Sequence, residues 1–197
     1  MGTAETSREK MLARARPIVA RLPAGKPTLV EVGVFKGQMA EYLLGRRPEL
    51  RWWGTDGWVG FMDQPKAYVA TGDVHAVMTQ PDQDECYRVT KDKLERFGDR
   101  ATIIRENSPF SAHRFGVESI DMVYLDGDHS REGVEADIKA WWPVVKPWGY
   151  LGGHDYQNAD RRFNFGVNLA VDQWVASTGY CLELDEGMCW FVRKAVL

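Results

Sequence analysis

Short runs of β-branched and large apolar residues alternate with longer stretches whose apolar residues recur every three to four positions, and this alternation limits the fold more than any other feature. Helical stretches between strands make successive strands run the same way, so the chain reads as βαβ units around a mostly parallel sheet. Strands are expected at Thr28 to Val32, Arg51 to Thr55, Ala101 to Arg105, Ile120 to Leu125 and Tyr150 to Gly153. Helices are expected from Ser7 to Leu22, from Gly37 to about Gly45, from Asp84 to Phe97, from Arg131 to Trp142 and from Val167 to Ala176. Tyr180 to Leu184 and Met188 to Val192 flank Asp185-Glu186-Gly187 and read as a hairpin, which adds an antiparallel last strand. The expectation is an α/β chain, doubly wound, with a mostly parallel seven-stranded sheet in a three-layer α/β/α sandwich. Residues 1–197 would form a single domain in which 1–27 supply an N-terminal helix.

With 44% hydrophobic residues in 197 there is enough apolar material for one substantial core. The formal net charge is -3, so no basic excess exists to neutralise a phosphate backbone or to dock on anionic lipid. Neither nucleic acid nor a membrane is the expected partner, and no run approaches the roughly 20 apolar residues that cross a bilayer. Cys86, Cys181 and Cys189 show neither metal-ligand spacing nor an even count for disulfides, and the polar start of the chain lacks the apolar run of a secretory signal. A cytoplasmic location is therefore expected; oligomeric state, including a homo-oligomer, is left open.

The first strand runs into Glu31-Val32-Gly33-Val34-Phe35-Lys36-Gly37 and then into a helix. Glycines there let a ligand approach the backbone, and the helix start presents unpaired N–H groups. The spacing is not that of a dinucleotide-binding G-x-G-x-x-G, because Phe35 stands where the second glycine belongs. Asp56 ends the next strand, where a carboxylate can accept hydrogen bonds from both ribose hydroxyls. Singly, these features are a tight turn and a helix cap. In this order they point to an adenosine-containing ligand.

With these motifs the chain resembles the class I S-adenosylmethionine-dependent methyltransferases, over nearly everything from Thr28 to Val192. Tyr124-Leu125-Asp126-Gly127-Asp128-His129-Ser130, Trp141-Trp142-Pro143 and Gly152-Gly153-His154-Asp155-Tyr156 are similar to a bacterial small-molecule subgroup that includes macrolide-sugar O-methyltransferases. The resemblance implies a Rossmann-like fold with S-adenosyl-L-methionine as cofactor. Glu31, Gly33, Phe35 and Gly37 would surround its methionine part, Asp56 would hold the ribose, and Asn107 and Ser108 would sit by the adenine. Trp58 follows Asp56 and is expected to touch cofactor or acceptor. A hydroxylated small molecule is the implied acceptor. The family commonly has Lys-Pro-Gly-Gly before the fifth strand; this chain has Lys146-Pro147-Trp148-Gly149.

Asp126 and Asp128 follow the fourth strand and His154 and Asp155 the fifth, its neighbour in such a fold, so they point into the crevice where open α/β sheets bind ligands. Oxygen-rich clusters suit Mg²⁺ or another divalent cation that lowers the pKa of a substrate hydroxyl. In metal-dependent relatives the positions of Asp126, His154 and Asp155 bind the ion, with a carboxylate where this chain has His154. The imidazole makes Mn²⁺ or Fe²⁺ admissible as well. Without a metal, His129 or His154 would be the general base. Asp128 and His129 read equally as the cap and first turn of the following helix. Residues 57–83, with Trp58, Phe61, Met62 and Tyr68, and residues 156–166, with Tyr156, Arg161, Arg162 and Phe163, are expected to be lid or acceptor loops. Two rivals remain: a nucleotide-dependent oxidoreductase on a related fold, and a catalytically silent S-adenosylmethionine-binding protein.

Overall fold

The computed structural model describes residues 7–195, in the order α1 (Ser7–Arg21), β1 (Thr28–Val32), α2 (Gln38–Arg46), β2 (Arg51–Asp56), α3 (Lys66–Ala70), α4 (Gln80–Leu94), β3 (Ala101–Arg105), α5 (Ser108–Ser111), β4 (Ile120–Leu125), α6 (Arg131–Trp141), β5 (Val145–Gly153), α7 (Val167–Thr178), β6 (Leu182–Asp185) and β7 (Cys189–Arg193). Among the described residues the strands form one seven-stranded sheet in the order β3-β2-β1-β4-β5-β7-β6. β1 to β5 are parallel, and β7 runs against both of its neighbours. The doubly wound sheet with an antiparallel last strand is as the sequence leads one to expect.

Alternation along each strand separates two cores. Leu29, Met122, Tyr124 and Phe191 face one side with Ile18 of α1, Leu43 and Leu44 of α2 and Leu94 of α4. Val30, Val32, Val123, Leu125 and Leu151 face the other with Val134, Ile138 and Trp141 of α6 and Val171 of α7. Both faces of β1 and β4 are thus dry, which is why these strands read as continuous apolar runs. One exception stands out: Glu31, in the middle of β1, is buried among the first set.

Three boundaries differ from the sequence reading. α4 starts at Gln80 rather than Asp84, because Thr79 caps it by accepting the Asp82 N–H and Pro81 lies in the first turn, where its missing N–H costs nothing. Residues 57–83 are not wholly irregular: single helical turns at Phe61–Asp63 and Val74–Val77 flank α3. β5 begins at Val145 instead of Tyr150 and pairs with Ile120 across a register shift. At that shift Trp148 adopts φ 66°, the left-handed conformation a glycine would take, and Arg193 lies over its ring at 5.1 Å.

Candidate active site

β1 is followed in the chain by β2 on one side, while the chain returns on its other side as β4. The divergence opens a crevice at the carboxyl ends of the strands. Gly33 makes the crevice possible. It has φ 84°, and a Cβ on it would overlap the carbonyl oxygen of Asp126 and come within 2.7 Å of the Gly127 Cα. Only glycine allows the turns after β1 and β4 to touch.

Asp56 fastens the first turn. One oxygen accepts the N–H groups of Val34 and Phe35 at 3.0 Å each, and the other accepts the N–H of Trp58 at 2.8 Å. Burial pushes its carboxyl up, against the pull of those three bonds. Phe35 and Trp58 both have positive φ, strain that the fastening holds in place. The Trp58 indole is buried, donates to the Phe35 carbonyl at 2.9 Å and packs 4.9 Å from Tyr87. Glu31 lies below the turn and accepts the Trp52 indole N–H at 2.8 Å. Burial drives its pKa to about 8, the Trp52 bond offsetting only part of the cost.

On the other wall, Asp126, His129, His154 and Asp155 converge until one donor atom from each lies within 4.8 Å of all the others. Asp155 has φ 60°, and its Oδ1 accepts the Asn158 amide at 2.6 Å while Oδ2 turns toward His154 Nδ1 at 2.9 Å. Arg14, reaching in from α1, pairs with Asp126 Oδ2 at 2.6 Å. Burial alone would raise the Asp126 carboxyl, but Arg14, His154 and His129 outweigh it and hold it well below the usual range. For His129 burial disfavours the cation, yet the Asp126 and Asp73 carboxylates lift it to about 10. His154 is raised as well: burial opposes its charge, and Asp126 prevails.

These two walls belong to one cavity of about 1690 Å³. Glu31, Gly33, Phe35, Asp56, Trp58, Asn107, Ser108, Asp126, Asp128, His129, His154 and Asp155 all line it. Gly37 is not among the lining residues; with φ 67° it caps the N-terminus of α2, where a Cβ would press on Thr90 at 3.1 Å. Asp128 accepts the Ser130 N–H at 2.8 Å in the turn before α6, but the cap of that helix is Ser130, whose hydroxyl accepts the Gly133 N–H at 3.1 Å. Ser108 donates to the buried Asp137 at 2.6 Å and accepts from the Trp141 indole at 2.8 Å. Burial moves the Asp137 carboxyl to about 7, with the Ser108 bond opposing it.

Arg14, Asp73, Asp137 and Asn158 are among the lining residues that a reading of the sequence does not single out. Asp73 is buried in the 57–83 segment, accepts from Tyr68 at 3.3 Å and faces His129 Nδ1 at 3.2 Å. Locally it caps the Val74–Val77 turn, accepting the His75 N–H at 2.9 Å, while His129 lies 56 positions away. Asp137 could have been suspected, as an acid on the apolar stripe of α6.

A methyltransferase-domain family matches residues 30–156, more than half of the chain. No curated protein is significantly similar in sequence. Among solved structures, a protein from Corynebacterium glutamicum is similar at 15% identity with a TM-score of 0.64, over 99% of this chain and 84% of that one. The O-methyltransferase NovP matches at 16% identity and TM-score 0.62, over 95% and 81%. An rRNA methylase from Streptococcus thermophilus matches at 11% and 0.61, over 99% and 100%. At such identities the likeness is one of fold. The family match, the sheet order and the crevice at its switch point place this chain in the methyltransferase-domain family, on the class I fold of S-adenosylmethionine-dependent methyltransferases.

Proposed function

We propose that the chain O-methylates a small hydroxylated molecule, with S-adenosylmethionine lying across the ends of β1 and β2 and a divalent cation held by Asp126, His154 and Asp155. The observation that carries this reading is the continuity of the cavity: the Gly33 turn and the acidic and imidazole cluster share one space of about 1690 Å³. Pockets for a single ligand run to about 1,000 Å³, so the space suits two molecules side by side.

In this reading Glu31 faces the cationic methionine part, the Asp56-fastened turn receives the ribose, and Asn107 and Ser108 flank the adenine. S-adenosylmethionine supplies an already activated methyl group, so the protein's task is alignment and exclusion of water. Asp126, His154 and Asp155 offer oxygen and nitrogen donors that fit a divalent ion, and such an ion lowers the pKa of a bound hydroxyl. Residues 57–83 and 156–166 serve as lid and acceptor loops over one domain. The net charge of -3 argues against an RNA acceptor, and no described helix is long and apolar enough to cross a membrane.

Calorimetry with S-adenosylhomocysteine, followed by transfer of labelled methyl to a panel of hydroxylated acceptors with and without chelator, tests the reading. Binding is expected, as is turnover that chelator stops. Asp155→Ala is expected to bind S-adenosylhomocysteine normally and to lose turnover. Absence of binding would refute the cofactor assignment, binding without transfer to any acceptor would favour a silent member, and turnover indifferent to chelator would refute the cation assignment.

A further inference from the structure

The donor atoms of the cluster form a ring. Asp126 Oδ1 lies 3.5 Å from His129 Nε2 and 3.3 Å from His154 Nδ1, and Asp155 Oδ2 lies 3.3 Å from His129 Nε2 and 2.9 Å from His154 Nδ1. Adjacent donors around an ion bound at about 2.1 Å stand about 3.0 to 3.4 Å apart, by the geometry of tetrahedral and octahedral sites. The ring, with edges of 2.9 to 3.5 Å, is thus within about 0.1 Å of the dimensions of a coordination shell.

Each of three donors is aimed by a group behind it. Arg14 occupies the other oxygen of Asp126, Asn158 the other oxygen of Asp155, and Asp73 the other ring nitrogen of His129. Outer partners of this kind orient ligands and fix the imidazole tautomer. His129 Nε2 supplies an independent sign. The side chain is only 9% exposed, and Nε2 is a buried polar atom that has no hydrogen-bond partner among the described residues and faces the ring. Buried polar nitrogens are rarely left so, and one that is calls for a missing ion or water.

We propose that His129 is a fourth ligand, positioned by Asp73, and that the resulting two-imidazole, two-carboxylate centre takes a borderline transition-metal ion such as Mn²⁺, Fe²⁺, Co²⁺ or Zn²⁺ in preference to Mg²⁺. This rests on the cation reading above and goes beyond its three ligands. Mg²⁺ prefers an oxygen shell and keeps its waters, whereas imidazole suits the later ions. Asp73 comes from the 57–83 segment, so this segment supplies part of the centre's outer shell.

The test uses the full chain stripped of metal, with Mn²⁺, Co²⁺ and Mg²⁺ titrated separately and S-adenosylhomocysteine affinity measured on the same samples. Mn²⁺ and Co²⁺ are expected to bind at least about 10-fold more tightly than Mg²⁺. The pulsed electron paramagnetic resonance spectrum of bound Mn²⁺ should carry couplings to two ring nitrogens. His129→Gln should leave one. Asp73→Asn should keep both while weakening Mn²⁺ binding about 10- to 100-fold, with S-adenosylhomocysteine affinity and the circular dichroism spectrum unchanged. Mg²⁺ binding as tightly as Mn²⁺, or a nitrogen coupling pattern that His129→Gln does not alter, would overturn the proposal while leaving the three-ligand reading intact. No binding of any ion would overturn both. Loss of S-adenosylhomocysteine binding in the wild type would instead strike the cofactor assignment alone.

Discussion

Replacing Glu31 by Gln should stabilise the ligand-free protein, and increasingly so as pH rises. The carboxyl moves from an ordinary 4.5 to about 8 because burial penalises its charge and the single bond from Trp52 does not compensate. A carboxyl raised in the folded state gives stability that is whole below about 4.5 and is lost as pH climbs toward about 8. At 1.36 kcal/mol per pH unit, burying the Glu31 carboxyl costs about 3 kcal/mol at pH 7, where it is held neutral, and levels off at about 5 kcal/mol above pH 8, where it ionises. Gln preserves an oxygen for the Trp52 N–H and removes the proton to be held. The two proteins should thus melt together near pH 4.5 and diverge by on the order of 10 °C at pH 7, given about 2–4 °C per kcal/mol for a chain of this size. Thermal melts by circular dichroism between pH 4.5 and 9 measure this directly. Calorimetry should show the converse for the cationic cofactor, with Glu31→Gln weakening it and abolishing the proton release that accompanies binding to the wild type. Parallel melting curves across the whole range would refute the claim that Glu31 is held neutral by burial.

Gly33→Ala combines a left-handed φ with overlap on the Asp126 carbonyl; a loss of about 3 kcal/mol is expected from strain and overpacking together, read by urea denaturation, along with loss of S-adenosylhomocysteine binding. Asp56→Asn keeps one acceptor where the wild type uses two oxygens for three N–H groups, so it should cost about 1–3 kcal/mol for the amide left unsatisfied and weaken the cofactor; equal affinity in calorimetry would speak against the turn as the ribose site. Trp148→Gly should stabilise by about 1 kcal/mol, because the left-handed backbone costs a non-glycine residue about that much and the 58% exposed indole gives up little beyond its contact with Arg193. A lower melting temperature for that variant would show that the stacking outweighs the strain.

The strands and the glycine turn were legible because their signals are local. Thr28 to Val32 and Ile120 to Leu125 carry the apolar runs of doubly covered strands, and Gly33 sits where only a residue without Cβ can pass. Trp148 shows the opposite case: the family's glycine is absent, yet the left-handed turn persists, since the bulge between β4 and β5 and the hydrogen bond from the Trp148 N–H to the Lys194 carbonyl impose it. The 57–83 segment was harder still. Its short helical turns are too brief for periodicity to appear, and Asp73, locally the cap of one such turn, meets the cluster only because the fold brings His129 against it.

The sequence by itself determined where the strands and the longer helices fall, that the sheet is mostly parallel, and that Asp126, His154 and Asp155 follow adjoining strands. Tertiary structure alone decided that His129 completes a ring with them and that Arg14, Asn158 and Asp73 stand behind it. The physical reason is range. Periodicity and turn chemistry are written into neighbouring residues, whereas convergence of donors on one point depends on the registers Val32 with Leu125 and Leu125 with Gly153, and a slip of a single residue would turn those side chains to opposite faces.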